Sequence, residues 1–449
     1  MKYFFYLSFR LFFRIKGWLT TRFTPAGLLI LGGLVASAVA GLDTNQTMAY
    51  QAFTFLLFLI LMSLSWRIIF RPRFLTRRKL PPFGTAGEPL PYRIVVINGT
   101  GRKQAGLTLW ENLERVLPDF AEFRTAREPE EPARNAFDRM VGYHRWLRLL
   151  YKKRPARVRA ESLPFLPPHG RAEIHSEIQP LCRGKIRLDE VSIACPDPFG
   201  LFRSFVKVSA PQSVLVLPKR YPLPPLELPG SRRYQPGGIA LASSVGDSEE
   251  FLSLRDYRPG DPMRRIHWKS WAKTGKPIVK EYQDEFFVRH GLILDTFQDS
   301  EQSDVFEEAV SIAASFVFTV QTQESLLDLM FVGTEAYCFT SGRGIDHVDR
   351  MLEILASVRA CTNKPFKTLF PLIVERSSLL SGCICVLLSW DEERQRLIRL
   401  LKALGVPLLV LVIMESDTSE PLDPGPMKMD PQNLLRLQVG KIEGGLARL

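Results

Sequence analysis

Hydrophobic positions along the chain follow three different rules. Phe23 to Leu42 carries no charge over about twenty positions, and Met48 to Trp66 is a second such run of about nineteen. At ~1.5 Å rise per residue, each is long enough to cross a hydrocarbon layer of ~30 Å. Only Asp43-Thr-Asn-Gln-Thr47 separates them, so the pattern predicts a two-helix transmembrane hairpin over 23–42 and 48–66. Next come short alternating runs: Tyr92-Arg-Ile-Val-Val-Ile97, Ala172-Glu-Ile-His-Ser-Glu-Ile178, Gly184-Lys-Ile-Arg-Leu188, Val191-Ser-Ile-Ala194 and Ser204-Phe-Val-Lys-Val208. Period-two runs broken by Pro and Gly predict a β-sandwich, with Asn98-Gly99 as a tight turn. In the last third, apolar strands alternate with amphipathic helices.

That third regime predicts strands at His290–Asp295, Leu326–Val332, Gly382–Leu388 and Leu408–Val412. Helices are expected at Asp304–Gln321, Asp346–Ala360 and Asp391–Leu404. Strands alternating with helices mean an α/β fold with a mostly parallel sheet covered on both faces. Leu434–Leu449 reads as a short terminal strand or a tail. The chain therefore divides into a membrane anchor (1–80), a β-sandwich module (81–220), a loop with a motif-rich segment (221–285) and an α/β domain (286–449). Residues 119–154 interrupt the sandwich pattern. Acidic Glu128–Glu131, Phe137-Asp-Arg-Met140 and Trp146-Leu-Arg-Leu-Leu-Tyr151 suit a helical insert, to which no chemistry attaches.

Charge orients the anchor. The net charge is +12. Lys2, Arg10, Arg14, Lys16 and Arg22 precede the first apolar run, and Arg67, Arg71, Arg73, Arg77, Arg78 and Lys79 follow the second. Basic flanks stay inside, so the expected location is the inner membrane, multi-pass, with everything after Leu80 cytoplasmic. A cleaved signal peptide would have a shorter apolar core and a small-residue cleavage site. Tyr3 to Leu19, aromatic and interspersed with Arg and Lys, reads as a segment for the headgroup plane or as a basic tail. The six cysteines (Cys182, Cys195, Cys338, Cys361, Cys383, Cys385) form no zinc pattern and read as scattered buried thiols. Asp197-Pro-Phe-Gly-Leu-Phe202 reads as a turn closing a sheet edge, with Phe199 and Phe202 plugging the core.

The segment Glu249 to Glu285 holds eight Lys or Arg and seven Asp or Glu. A nucleic-acid groove is one-signed, so this balance points to a paired network of Arg255, Asp256, Asp261, Arg264 and Arg265, with Trp268 and Trp271 buried. Arg258-Pro-Gly-Asp261 has the residues of a type II turn. Asp261-Pro262 is a helix start, with the carboxylate as N-cap. Gly275 and Pro277 stop that helix, and Ile278–Tyr282 is a strand. His267 has no Ser or Cys pairing with it as a nucleophile.

Arg255, Asp256, Tyr257, Gly260, Asp261, Arg264, Ile266 and Trp268 form a pattern that resembles the signature of the bacterial domain-of-unknown-function family number 58. The Asp197–Phe202 turn and the two apolar runs are similar to the rest of that family's layout; the insert at 119–154 is not part of it. The resemblance implies a membrane hairpin, a β-sandwich and a von Willebrand factor A-like domain, often encoded beside MoxR-family AAA+ ATPases, with no established activity. It also implies where a metal-ion-dependent adhesion site would lie, at Asp295, Phe297 and Asp299, with Asp391 as a distal ligand or simply a helix N-cap. Phe297 cannot coordinate Mg²⁺, which demands oxygen ligands, so a degenerate site kept as a protein-binding surface is expected, without cofactor. The leading expectation is thus a non-catalytic binding protein in the lipid bilayer, partnered by a MoxR-type ATPase and not by nucleic acid. Mg²⁺-dependent adhesion and hydrolysis by the signature loop are the alternatives.

Overall fold

The computed structural model describes residues 2–41, 47–69, 72–113, 117–126, 134–224, 250–261, 263–283, 289–298, 303–321, 326–341, 345–415 and 422–449. It forms two compact units, Met1–Leu217 and Pro218–Leu449. The link at 43–46, the acidic run 128–131, most of the loop at 222–238, Pro262 and Asp299 lie outside the described residues.

The first unit begins with three helices, α1 (Lys2–Arg22), α2 (Pro25–Ala40) and α3 (Thr47–Ile69). Within α3, Met48–Trp66 is long and apolar enough to cross a membrane. Helix α2 packs beside α3 but has 16 residues, about 24 Å of rise. It is shorter than the apolar run because Phe23 and Thr24 leave it. Thr24 is extended and caps α2, its hydroxyl accepting from Gly27 N at 3.1 Å, with Pro25 in the first turn.

The sandwich begins at Phe74, five positions after the last residue of α3. Its strands are β1 (Phe74–Lys79), β2 (Phe83–Thr85), β3 (Leu90–Asn98) and β4 (Thr108–Leu113), then three helices, α4 (Phe120–Thr125), α5 (Ala136–Val141) and α6 (Tyr143–Lys152). The remaining strands are β5 (Ala156–Val158), β6 (Glu161–Ser162), β7 (Arg171–Pro180), β8 (Gly184–Pro196) and β9 (Arg203–Leu217). One sheet runs β1-β3-β7-β5, the other β2-β9-β8-β4-β6. Alternate residues of both fill one core, Ile94 and Val96 from β3 meeting Leu188 and Ile193 from β8. The two runs expected at 184–188 and 191–194 are one strand. A register shift between Leu188 and Glu190 moves the inward set from Ile186 and Leu188 to Val191 and Ile193, as an extra residue must when the side-chain period is two.

Two expectations need correcting here. Arg77, Arg78 and Lys79 lie in a sandwich strand, and Arg78 is buried. Its guanidinium crosses from β1 to Glu111 on β4 (Nε–Oε1 3.0 Å, Nη2–Oε2 2.6 Å) and also donates to the Leu188 and Ala210 carbonyls. It is therefore not a membrane flank. Phe202 is buried as expected, but Phe199 is exposed. The turn that carries them is fastened by Asp197, whose carboxylate accepts from Leu201 N and Phe202 N, and it docks on the start of α2. Thr24 N donates to Leu201 O at 3.0 Å, Thr24 Oγ1 to Gly200 O at 2.6 Å, and the Phe23 ring meets Phe202 edge-on. A Cβ on Gly27 would lie 2.1 Å from Leu201 O, so only glycine permits this approach. The insert acquires a job as well. Phe120, Phe123, Trp146 and Leu149 of α4 and α6 close over Tyr6, Phe9 and Phe13 of α1.

The second unit opens with a two-stranded sheet, β10 (Glu250–Asp256) and β11 (Ile278–Gln283), with α7 (Trp268–Thr274) between them. The α/β part contains β12 (Arg289–Leu294), α8 (Asp304–Gln321), β13 (Leu326–Val332), β14 (Ala336–Ser341), α9 (Ile345–Ser357) and α10 (Phe370–Ser377). It continues with β15 (Gly382–Leu387), α11 (Glu392–Ala403), β16 (Leu408–Met414), β17 (Leu434–Gln438) and α12 (Ile442–Leu446). The sheet order is β14-β13-β12-β15-β16-β17, parallel except for the β14 edge. Helix α8 covers one face; Ile373, Leu397 and Leu401 of α10 and α11 cover the other, over Cys383 and Cys385. Four thiols are buried, Cys338 is intermediate and Cys182 is exposed, and none is in a disulfide. Burial pushes the Cys195 thiol up to about 12, which keeps it unreactive.

His290 sits on the central strand β12, 4% exposed, and burial pushes its pKa down to about 4. The folded state thus keeps the ring neutral while the unfolded chain protonates near 6.5. The contribution is complete above about pH 6.5 and is lost as pH falls from there to about 4, by at most about 3 kcal/mol. Denaturant titrations of the intact chain in detergent across this window should show the loss, and His290→Leu should flatten it.

Candidate functional site

The signature segment is a loop built on β10 and β11. Arg258-Pro-Gly-Asp261 closes as a turn, with Asp261 N donating to Arg258 O at 3.0 Å and Gly260 at φ +105°, a conformation that residues carrying a Cβ rarely adopt. Asp261 does not cap a helix. Its carboxylate takes a bidentate pair from Arg255 (2.7 and 2.8 Å) and the Arg258 N–H at 2.8 Å. These hydrogen bonds, Arg255's first, hold its pKa down at about 2. The loop therefore keeps its clamp at any pH above the ordinary carboxylate range and loses it only as pH falls through about 2.

A 3₁₀ turn at Met263–Arg265 follows. Ile266 is buried and bridges Val279, and Tyr257 N donates to Pro277 O at 3.0 Å. Asp256 and Arg264 are exposed. The helix starts only at Trp268, after His267, and ends on Gly275 with φ +70°. With seven residues and no strand beneath its outer side, α7 leaves Trp268 62% exposed, stacked on Trp271 at 5.3 Å. The expected burial of Trp268 is thus reversed. His267 Nδ1 meets Ser270 Oγ at 2.6 Å, a contact sequence reading missed although i and i+3 neighbours at a helix start face each other.

A second cluster lies where the α/β sheet reverses its strand order, between β12 and β15, the place where doubly wound sheets bind ligands. Asp295 follows β12 directly and is fully buried. Its oxygens accept from Phe297 N (3.0 Å), Leu388 N (3.1 Å) and Arg394 Nε (2.8 Å). Arg394 also donates through Nη2 to Asp295 Oδ1 (3.3 Å) and Phe297 O (3.2 Å), and through Nη1 to Asp391 Oδ2. Its guanidinium lies 4.7 Å from the Phe366 ring centre. Burial alone lowers the Arg394 pKa; Asp295 and Asp391 more than reverse this and hold it raised. Asp391 is the N-cap of α11, accepting from Arg394 N at 3.0 Å.

The structure thus brings Asp295 and Asp391 together, but around Arg394, whose guanidinium stands between the two carboxylates where an intact adhesion site would hold its metal ion. Phe297 contributes a carbonyl to the arginine and packs its ring on Phe366. Arg394 was overlooked because it reads as one of several basic residues on a helix. Its signal is its place three residues after an N-cap aspartate, which turns it back toward the strand ends. No hydrogen bond or ion pair joins this cluster to the signature loop among the described residues. No group of three or more metal-ligating side chains occurs among them either.

Residues 253–376 match the family model described as protein of unknown function DUF58. Bacillus subtilis (strain 168) has a relative named uncharacterized protein YeaD, 27% identical over 184 residues, 40% of this chain. The match spans 44% of that relative, less than half its length. Among solved structures, a GH20 exo β-N-acetylglucosaminidase from Vibrio harveyi aligns at 8% identity over 77% of this chain and 57% of its own. Its TM-score of 0.16 conveys no likeness of fold.

Proposed function

We propose, from the match of residues 253–376 to the DUF58 family model, that the chain is a membrane-anchored, non-catalytic binding protein whose signature loop docks a protein partner. The observation that carries this reading is Trp268: exposed, stacked on Trp271, and displayed by a loop that the Arg255–Asp261 clamp orders in advance. Interface hot spots are pre-ordered aromatics of this kind. The family resemblance points to a MoxR-type AAA+ ATPase as partner. It also points to a von Willebrand factor A-like identity for the α/β sheet, which its strand order and the aspartate closing β12 support.

In this reading α2 and α3 cross the bilayer as a hairpin, the shorter α2 being accommodated by local thinning. Both folded units then lie on the cytoplasmic side. Support comes from the length of α3 and from Lys2, Arg10, Arg14, Lys16 and Arg22 ahead of α2. A Mg²⁺-dependent adhesion site would have to displace Arg394 from Asp295 and Asp391. Hydrolysis would have to start from the His267–Ser270 contact, against whose Nε2 no carboxylate stands among the described residues.

The test is copurification from detergent-solubilised membranes with a co-expressed MoxR-type ATPase from the same organism. Wild type should retain the ATPase, and Trp268→Ala should lose at least about tenfold, the scale of one hot-spot residue, with its thermal unfolding unchanged. Equal retention by the variant, or no ATPase with wild type, would overturn the proposal.

A further inference from the structure

Helix α1 carries two apolar stripes on opposite sides. Tyr6, Phe9 and Phe13 face the α4 and α6 aromatics and are covered. Phe4, Leu7, Leu11, Ile15 and Trp18, spaced three and four apart, share the other side, and all five are exposed. The exposed stripe runs for about 21 Å at ~1.5 Å per residue. The helix holds Lys2, Arg10, Arg14, Lys16 and Arg22 and no acidic residue. A second copy of so basic a helix would repel this one, whereas anionic headgroups would be drawn to it.

Position argues the same way. The helical rise stops at Arg22, the chain passes through Phe23 and extended Thr24, and α2 begins at Pro25. Trp18 packs on Phe23, and the Asp197–Phe202 turn pins Thr24 in place. The exposed stripe therefore ends against the point where α2 starts. Phe199, the exposed ring of that turn, stands beside it in sequence to the two carbonyls that hold Thr24.

We infer that α1 lies in the surface of an anionic bilayer, its outer stripe among the acyl-chain boundary and its cationic side chains at the phosphates, while α4 and α6 brace it from the protein side. The assignment rests on the membrane-anchor reading above. It gives the insert at 119–154 a purpose: it couples the sandwich to an interfacial helix.

Depth-dependent quenching tests it. In full-length chain with Cys182→Ser, an environment-sensitive label is placed singly at Phe4→Cys, Leu11→Cys, Phe58→Cys on α3, or Glu177→Cys on the outer side of β7. The chain is reconstituted in phosphatidylcholine–phosphatidylglycerol vesicles carrying nitroxide lipids, shallow or deep. The expected result is loss of fluorescence at 58 to deep nitroxide, loss at 4 and 11 alike to shallow nitroxide, and quenching at 177 only by an aqueous quencher. If 58 is deep but 4 or 11 answers only to the aqueous quencher, the interfacial helix is wrong and the anchor stands. If 58 is also aqueous, the anchor itself falls. Shielding of 11 from every quencher, with Leu11→Cys crosslinks between chains, would assign the stripe to a second copy and overturn the lipid assignment. So would unchanged depth at 4 and 11 in vesicles lacking phosphatidylglycerol.

Discussion

Arg394→Met is expected to destabilise the α/β part of the second unit by about 3–5 kcal/mol, the cost of leaving one member of a buried ion pair without the other. Asp295 is fully buried and keeps only the Leu388 and Phe297 N–H groups once the guanidinium is gone. Asp391 loses its partner too, but it lies at the surface and retains the N-cap bond. The sharper check is the double variant. Asp295→Asn with Arg394→Met removes both charges, so it should be less destabilised than Arg394→Met alone, a sign that ordinary additivity forbids. Denaturant unfolding of the intact chain in detergent, followed by proteolysis of the second unit, measures both. An Arg394→Met variant as stable as wild type would mean that Asp295 is not ionised in the fold.

The second large effect belongs to the sandwich. Arg78→Met should cost a similar amount, about 3–5 kcal/mol. It leaves Glu111, whose side chain is fully buried, with the Tyr92 hydroxyl at 3.1 Å as its hydrogen-bond donor. It also strips a donor from the buried Leu188 carbonyl, with its desolvation penalty, and from the part-buried Ala210 carbonyl. Glu111→Gln should be milder than Arg78→Met if Tyr92 can still hydrogen-bond the amide. Because this pair joins the two sheets, the loss should appear in cleavage between residues 74 and 217 while the α/β part resists. Uniform loss across both units would contradict the division into two cooperative parts.

The contrast between these two arginines explains what was legible in the sequence. Helix α8 and strand β13 were read to the residue, because α8 keeps an unbroken amphipathic period and β13 is a seven-residue run that is apolar except for Asp328. Strand β1 was concealed by its own chemistry: Phe-Leu-Thr-Arg-Arg-Lys reads as a basic flank, and only tertiary pairing turns Arg78 inward. Strand β14 and helix α10 are short, and α10 begins with Pro371 in its first turn directly after a 3₁₀ turn, which hides its start. At the signature, the turn and the Arg255–Asp261 pair followed from residue types. The exposure of Trp268 did not, because seven helical residues bury one side only where something lies beneath them. The role of 119–154 was invisible locally, since its aromatics answer to residues more than a hundred positions earlier.

That separation has a consequence for synthesis. The hydroxyl of Thr24 finds its acceptor 177 residues downstream. At about 5–20 residues per second, a ribosome takes on the order of ten seconds or more to deliver it. Until the insert at 119–154 has followed it, the aromatic N-terminal helix is outside the ribosome with neither of its long-range supports made. Nascent chains arrested before residue 150 should therefore hand this surface to lipid or to a chaperone, and the early life of the protein depends on which of them arrives first.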